Sequence, residues 1–361
     1  MARVDIVMPV RNGERFLQDA LDSLQCQTFS DWRLLALDHA STDSTPAILA
    51  RAASLDSRVQ VFDVSMKRSL SDVLNFGLAN ADCEFLLRQD ADDLSRPHRI
   101  ETLVKAFETD PEVAFLGSHG DVIDETGAKI GEMDVPLGRD AVRAVCLFGG
   151  IACHPSVGFR LSALHDLGAR YGSSFVGSDA GDSSFVVPGL AEDYFLFGQI
   201  ALLRPCRNLP DNLFQYRQHG TNFSRVKVGD TVRAAAKASL RLAKAFSDIH
   251  GSAPLDPLPF ANHSDMLLDI VGRFDFSDEF ARIAAALRKA YGSSTCLERE
   301  LSFRGCLQDR RGLPMGVRFA AHVLRHNARS SERNTVKTWL LRNVRHYPIE
   351  QVREPAAEFL N

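Results

Sequence analysis

Four short stretches rich in apolar residues punctuate the first ninety positions: Val4 to Pro9, Trp32 to Asp38, Val59 to Asp63 and Glu84 to Gln89. Between and after them, apolar residues recur at spacings of three and four. Leu17, Ala20, Leu21 and Leu24 form one set, and Leu70, Val73, Leu74, Gly77 and Leu78 another. Ile100, Leu103, Val104 and Phe107 form a third. Short apolar runs predict buried strands, and the wider spacing predicts helices with one apolar side. Thr45-Pro46 predicts a further helix to about Ala53, with Thr45 as cap and proline at the first helical position. Strand and helix therefore alternate, which predicts an α/β fold: a Rossmann-like, mostly parallel sheet with helices on both faces. In such sheets ligands bind beyond the carboxyl ends of the strands. If the strands ending at Asp38 and at Asp90 are neighbours, both open into one crevice.

After Val113 the alternation loosens. Residues 124–127 (DETG) predict a turn, and residues 171–189, rich in Gly and Ser, predict a long mobile loop. Glu192 and Asp193 stand where a helix should begin, buried by Phe195, Phe197, Ile200, Ala201 and Leu203. Tyr216, Arg217 and His219 alternate along a strand that runs into a loop. From about Arg225 the pattern is helical, with no convincing strand, and no internal repeat is found.

Composition adds bounds. The 361 residues, 45% apolar and 24% charged, predict two domains or one large domain with an appendage. No apolar run is long enough to span a bilayer, and MARVDIVMPV is too short in apolar residues for a signal peptide. The expected location is the cytoplasm, or the inner face of the cytoplasmic membrane as a peripheral protein. Seven scattered cysteines without CxxC spacing argue against a disulfide framework or a zinc site. Net charge is −4, split as +7 from Arg225 onward and −11 before it, so the two parts should have different neighbours. Arg233, Lys237, Arg241 and Lys244 fall on one side of a helix, opposite Ala235, Ala238, Leu242 and Phe246. Arg304, Arg310, Arg311, Arg318 and Arg325 add charge further on. This region is read either as a surface for anionic lipid or as an amphipathic helix packed on the rest of the chain. No nucleic-acid partner is expected of a net acidic chain without an aromatic and basic surface.

The densest chemistry lies in FLLRQDADDLSRPHRI (residues 85–100). Asp90, Asp92 and Asp93 repel one another and stay ionised cheaply only around a cation. Mg²⁺ and Mn²⁺ take such oxygen ligands together with substrate phosphates, although acids before a helix also serve as caps. MPVRNGERFL (residues 8–17) is a strand, a tight loop and a helix start that could meet a phosphate. Asp193 could act as a general base, and His219 as a metal or phosphate ligand.

The order PVRNGERFL, LALDHASTDST, RQDADDLSRPHRI, HPSVGFR, AEDYFLF and YRQHGTNFS resembles a family-2 inverting glycosyltransferase with the GT-A fold, over about residues 3 to 225. The resemblance implies a nucleotide-diphosphate-sugar donor, uridine first, and Mn²⁺ or Mg²⁺. By position, Pro9, Val10, Arg11, Asn12, Glu14, Asp38 and His39 would bind the donor, with Arg88, Asp90 and Ala91. Asp92 would be the main metal ligand, with Asp90, Asp93 and His219 in support. Asp193 matches the catalytic base, and Glu192 its neighbour. Arg11 and His39 depart from the family pattern at positions that face the base. Arg11 can still stack by its guanidinium plane. His39 accepts a hydrogen bond only when neutral, so guanosine and thymidine donors come into play.

The chain would then divide into a donor half (1–110), an acceptor and base half (111–225) and a helical C-terminal region (226–361). The acceptor would be a saccharide or lipid-linked saccharide hydroxyl of a polysaccharide or glycolipid precursor. Two other readings stand beside this one. A sugar nucleotidyltransferase should carry a Gly-rich basic loop early in the chain, which residues 8–17 do not supply. A non-catalytic nucleotide-sugar binding protein would not need Asp92 and Asp193.

Overall fold

The computed structural model describes residues 2–177, 180, 187, 190–220, 228–262 and 275–345. Strand β1 (Val4–Val10) pairs in parallel with β2 (Trp32–Asp38) on one side and with β4 (Phe85–Arg88) on the other. Strand β3 (Val59–Asp63) pairs in parallel outside β2. The crossovers are helices α1 (Leu17–Gln25), α2 (Thr45–Leu55) and α3 (Leu70–Asn80). Residues along β1 alternate between two cores: Val4, Ile6, Met8 and Val10 join Leu17 and Leu21 of α1, whereas Val7 joins Val73 and Leu74 of α3. Helices on both faces explain why these strands read as continuous apolar runs.

Asp38 and Asp90 do not end neighbouring strands, as the shared-crevice expectation required. β1 stands between β2 and β4, although all three run the same way and end on one edge. Thr45 is the first helical residue of α2 rather than its cap, which is Ser44. The Thr45 hydroxyl instead accepts the Gly13 N–H at 2.8 Å, tying the loop after β1 to the start of α2.

The rest of the sheet, nine-stranded among the described residues, is mixed. Two-residue β5 (Leu94–Ser95) precedes α4 (Arg99–Thr109), followed by β6 (Phe115–Ile123), β7 (Lys129–Met133), α5 (Arg139–Val145), β8 (Gly158–Arg160) and α6 (Leu161–Leu167). Helix α7 (Glu192–Leu203) and β9 (Cys206–Arg217) complete it. The order is β3-β2-β1-β4-β8-β6-β9-β5, with β7 on β6. Strand β8 is antiparallel to β4 and β6, and β9 is parallel to β6. Only the end of β9 was expected from the sequence. β6 reads FLGSHGDVI, without an apolar run, yet is mostly buried. Its Gly117 and Gly120 leave room for Asn208 and Phe214, which occupy the space a Cβ would take. The turn at 124–127 forms as expected: the Gly127 N–H donates to the Asp124 carbonyl at 3.1 Å, with Gly127 at φ 88°. Most of the 178–189 part of the expected mobile loop lies outside the described residues.

The C-terminal part is helical: α8 (Val228–His250), α9 (Ser277–Tyr291), α10 (Thr295–Cys306), α11 (Gly312–His326) and α12 (Ser330–Arg345). Helix α8 buries Ala238, Leu242 and Phe246, and Leu242 packs over Gly198 of α7. On its outer side Arg233 lies 3.8 Å from Asp230 and Lys244 3.3 Å from Asp248. Of the five arginines that add charge further on, Arg311 and Arg325 are exposed and Arg318 is half-buried, whereas the other two are not at the surface. Arg304 and Arg310 are buried, with Arg310 over the rings of Phe276 and Trp339 at 4.7 and 4.3 Å. Arg311 and Arg318 both lie against Asp309. No described helix is long and apolar enough to cross a membrane.

Candidate active site

Strand β4 ends at Arg88, and the next five residues turn sharply back. Gln89 holds the turn from inside. Its amide donates to the Asp90 and Asp93 carbonyls at 3.0 and 2.9 Å, and its side-chain oxygen accepts from Ser95 and Arg99 at 2.7 Å each. Arg99, wholly buried, also donates to the Arg88 carbonyl at 2.5 Å. Neither Gln89 nor Arg99 was singled out from the sequence. A buried Arg at the start of an amphipathic helix looks, in sequence, like any solvated cation.

This frame presents the three carboxylates together. Each of Asp90, Asp92 and Asp93 can place one oxygen so that all lie within 4.8 Å of one another. Asp90 accepts from Arg88 at 2.6 Å. Asp92 meets His219 Nε2 at 2.9 Å. Asp93 is buried, and its Oδ1 accepts the Arg217 N–H at 2.7 Å. Its Oδ2 is buried with no hydrogen-bond partner among the described residues. Burial, with the charge of Asp90 next, raises the Asp92 carboxyl above its ordinary range. Burial and the charges of Asp90 and Asp92 hold Asp93 well above it. Crowded carboxylates with an orphaned oxygen fit a hard divalent cation. A second group of ligand-type side chains, Asp5, Asp82 and Cys83, differs: both Asp5 oxygens accept from Arg33, at 2.7 and 2.9 Å.

His219 sits on the loop after β9, its ring 5.0 Å from that of Phe16. Arg217 lies over the same Phe16 ring at 4.7 Å and donates to Asp19 at 3.1 Å and to the Asp92 carbonyl at 3.0 Å. His219 therefore meets Asp92 itself and orients that carboxylate.

Across the opening stands the start of α7. Arg88, Asp90, Asp92, Glu192 and Asp193 line one cavity of about 430 Å³, together with His154 among others. Asp193 Oδ1 accepts the Tyr194 N–H at 2.7 Å. Burial raises the Asp193 carboxyl, and the nearby Asp90 adds to the shift. Such a group is a stronger base than an exposed aspartate. Glu192 is 6% exposed with Oε2 unpartnered among the described residues. Burial, and then Asp193, push it from 4.5 up to about 7. His154 contacts the Tyr171 hydroxyl at 3.1 Å, and burial holds its pKa well below the ordinary value, so the ring is neutral.

The raised Glu192 predicts a pH-dependent stability change. An acid whose folded pKa is raised costs the fold nothing below its ordinary pKa. The cost grows as pH climbs from about 4.5 to about 7 and is complete above that. Glu192→Gln should therefore stabilise the fold by about 1–3 kcal/mol near pH 8 and change it little near pH 4. Urea unfolding at the two pH values checks this.

The remaining donor candidates gather at the carboxyl ends of β1 and β2. Asn12, at φ 51°, accepts the Thr42 N–H through its side-chain oxygen at 2.8 Å. Glu14 accepts the Ser44 N–H at 3.0 Å. These two side chains thus shape the loop after β2. Val10 is buried, Pro9 half-buried and Arg11 exposed. Asp38 accepts the Ser41 N–H at 3.1 Å and lines a second cavity, of about 500 Å³. His39 Nε2 lies 2.9 Å from the Lys67 carbonyl, so Nε2 carries a proton and only Nδ1 is left to serve as an acceptor. Ala91 lies close to Gly13: a Cβ there would stand 3.8 Å from that of Ala91. The loop after β1 and the acidic turn are therefore neighbours.

The architecture is that of the GT-A fold. A solved structure of Staphylococcus aureus TarS, residues 1–349 with UDP-GlcNAc, superposes with a TM-score of 0.55 at 13% identity, covering 96% of this chain and 92% of that one. Residues 5–168, a little under half of the chain, match the model of glycosyl transferase family 2. Bacillus subtilis EpsE, a protein bearing a glycosyltransferase name, is 30% identical over 166 residues, 46% of this chain and 59% of EpsE. The Escherichia coli O-antigen biosynthesis glycosyltransferase WbnJ is 25% identical over 159 residues, 44% of this chain and 61% of WbnJ. The chain thus spans about six tenths of the length of EpsE and of WbnJ.

Proposed function

We propose that the chain is an inverting, metal-dependent glycosyltransferase that moves a sugar from a nucleotide-diphosphate donor, uridine first, to a saccharide hydroxyl. The observation that carries this reading is the meeting, in one cavity, of the acidic turn after β4 and the acids that start α7. These elements lie about a hundred residues apart in sequence. The saccharide acceptor is supported by the name of WbnJ.

Asp90, Asp92 and Asp93 would hold Mn²⁺ or Mg²⁺, which supplies positive charge to offset the leaving diphosphate. Arg88 fixes Asp90, His219 fixes Asp92 and the Arg217 N–H fixes Asp93, so the ligand oxygens are set before anything binds. Asp193 takes the proton of the acceptor hydroxyl as its oxygen attacks the anomeric carbon. The bond to the diphosphate breaks on the opposite face, and the configuration at that carbon inverts. The neutral His154, with Met133, Ala152 and Pro155 of the same wall, confines the reacting groups without adding charge.

Incubation with an α-linked UDP-sugar, followed by proton NMR of the product, tests the reading. A β-linked product is expected, and retention at the anomeric carbon would sink the single-displacement mechanism.

A further inference from the structure

A third cavity, of about 550 Å³, lies between the catalytic part and the C-terminal helices. This volume falls in the usual range for ligand pockets, about 300–1,000 Å³. It adjoins the catalytic cavity across shared stretches of chain. Met133 lines the catalytic cavity and the next residue, Asp134, lines this one; Ala152 lines the first and Gly150 the second. Buried Asn208 fixes the partition by donating to the Pro136 and Ile151 carbonyls at 2.8 Å each.

The opposite wall is one side of α12. Ser331, Asn334, Thr335 and Thr338 fall at i, i+3, i+4 and i+7 and all line the cavity. The exposed cations of the same helix, Arg333 and Lys337, do not line it. The threonine hydroxyls donate to the Ser331 and Asn334 carbonyls at 3.0 and 2.9 Å, which leaves their oxygens as acceptors. Phe303 also lines the cavity but is buried, with Arg304 over its ring at 5.3 Å. Both cations at the cavity are already engaged: Arg329 pairs with Glu300 and Glu332, and Arg304 donates to the Phe260 carbonyl and to Asn262; the Asp134 carboxylate also lines it and accepts the Ser330 N–H at 3.4 Å. Uncharged donors and acceptors along one side of α12, with the nearby cations already engaged, suit a neutral pyranose, which offers hydroxyls at its rim. They do not suit an anion.

We propose that this cavity is an acceptor subsite, holding a neutral sugar unit of the acceptor glycan next to the unit that receives the transferred sugar. The proposal rests on the glycosyltransferase reading above. It assigns α12 a part in choosing the acceptor.

The test is ligand-observed saturation-transfer NMR on the full chain. Maltotetraose, chitotetraose, mannotetraose and a galactotetraose serve as probes, each with and without UDP and Mn²⁺. At least one should bind in both conditions. Its affinity should fall about tenfold or more in Thr338→Arg, which fills the cavity from an exposed position, and by about threefold in Asn334→Ala. Calorimetric UDP affinity should be unchanged in both variants, which also shows that they fold. If no probe binds the wild type, or if binding survives Thr338→Arg, the subsite proposal is overturned. If UDP binds while the saccharides do not, the subsite falls alone. If neither binds, the glycosyltransferase reading falls with it.

Discussion

Asp193→Asn should lower turnover by about a thousandfold, within the range of about 10²–10⁴ for loss of a positioned general base, with nucleotide affinity nearly unchanged. The amide keeps the shape of the carboxylate and can still accept the Tyr194 N–H, so α7 should start as before. It cannot take a proton. Burial and Asp90 raise the acid in the native chain, so the acid limb of kcat/KM should lie above the ordinary aspartate range, with activity rising as pH increases through it. Glu192 titrates beside Asp193, and the limb belongs to the pair. Removing the Glu192 charge should move it to lower pH. Steady-state kinetics of the Asp193→Asn and Glu192→Gln variants separate the two acids: the first loses turnover, the second shifts the profile. If Asp193→Asn kept most of its turnover, another base would have to be found.

Asp92→Asn should weaken nucleotide binding in the presence of Mn²⁺ by about a hundredfold, the upper part of the range for disturbing a metal site. It should change binding in EDTA little. Asp92 is the most exposed of the oxygens held in place by a neighbour, with His219 at 2.9 Å. Asp90 and Asp93 remain in the variant, but two carboxylates without the third no longer enclose a cation. His219→Ala should produce a smaller loss in the same titration, because the ligand stays while its orientation is freed.

Much of this could be read from residue order alone. The first four strands and their helices announce themselves because sheet burial on both faces leaves unbroken apolar runs, as in Val4–Val10. The acidic turn is legible because three carboxylates in four residues are costly without a reason. The sheet's second half was not legible. β6 hides behind Gly117, Ser118, His119 and Gly120, whose burial depends on Asn208 and Phe214 some ninety residues later. Arg304 and Arg310 read as surface charge, because only the folded chain shows the rings and carbonyls that receive them. Gln89 and Arg99, which hold the acidic turn, carry no local signature: each is an ordinary polar residue until its partners are in place. The departures at Arg11 and His39 were visible, but the carbonyl that sets the His39 tautomer was not.

Calorimetric titration of UDP, GDP and dTDP into the purified chain, first with Mn²⁺ and then with EDTA, tests the central claim most directly. The account predicts that one nucleotide binds in Mn²⁺, that EDTA removes most of the affinity, and that Asp92→Asn removes it equally. Equal binding with Mn²⁺ and EDTA, or none of any nucleotide in either, would contradict the assignment of the acidic turn as a metal and diphosphate site.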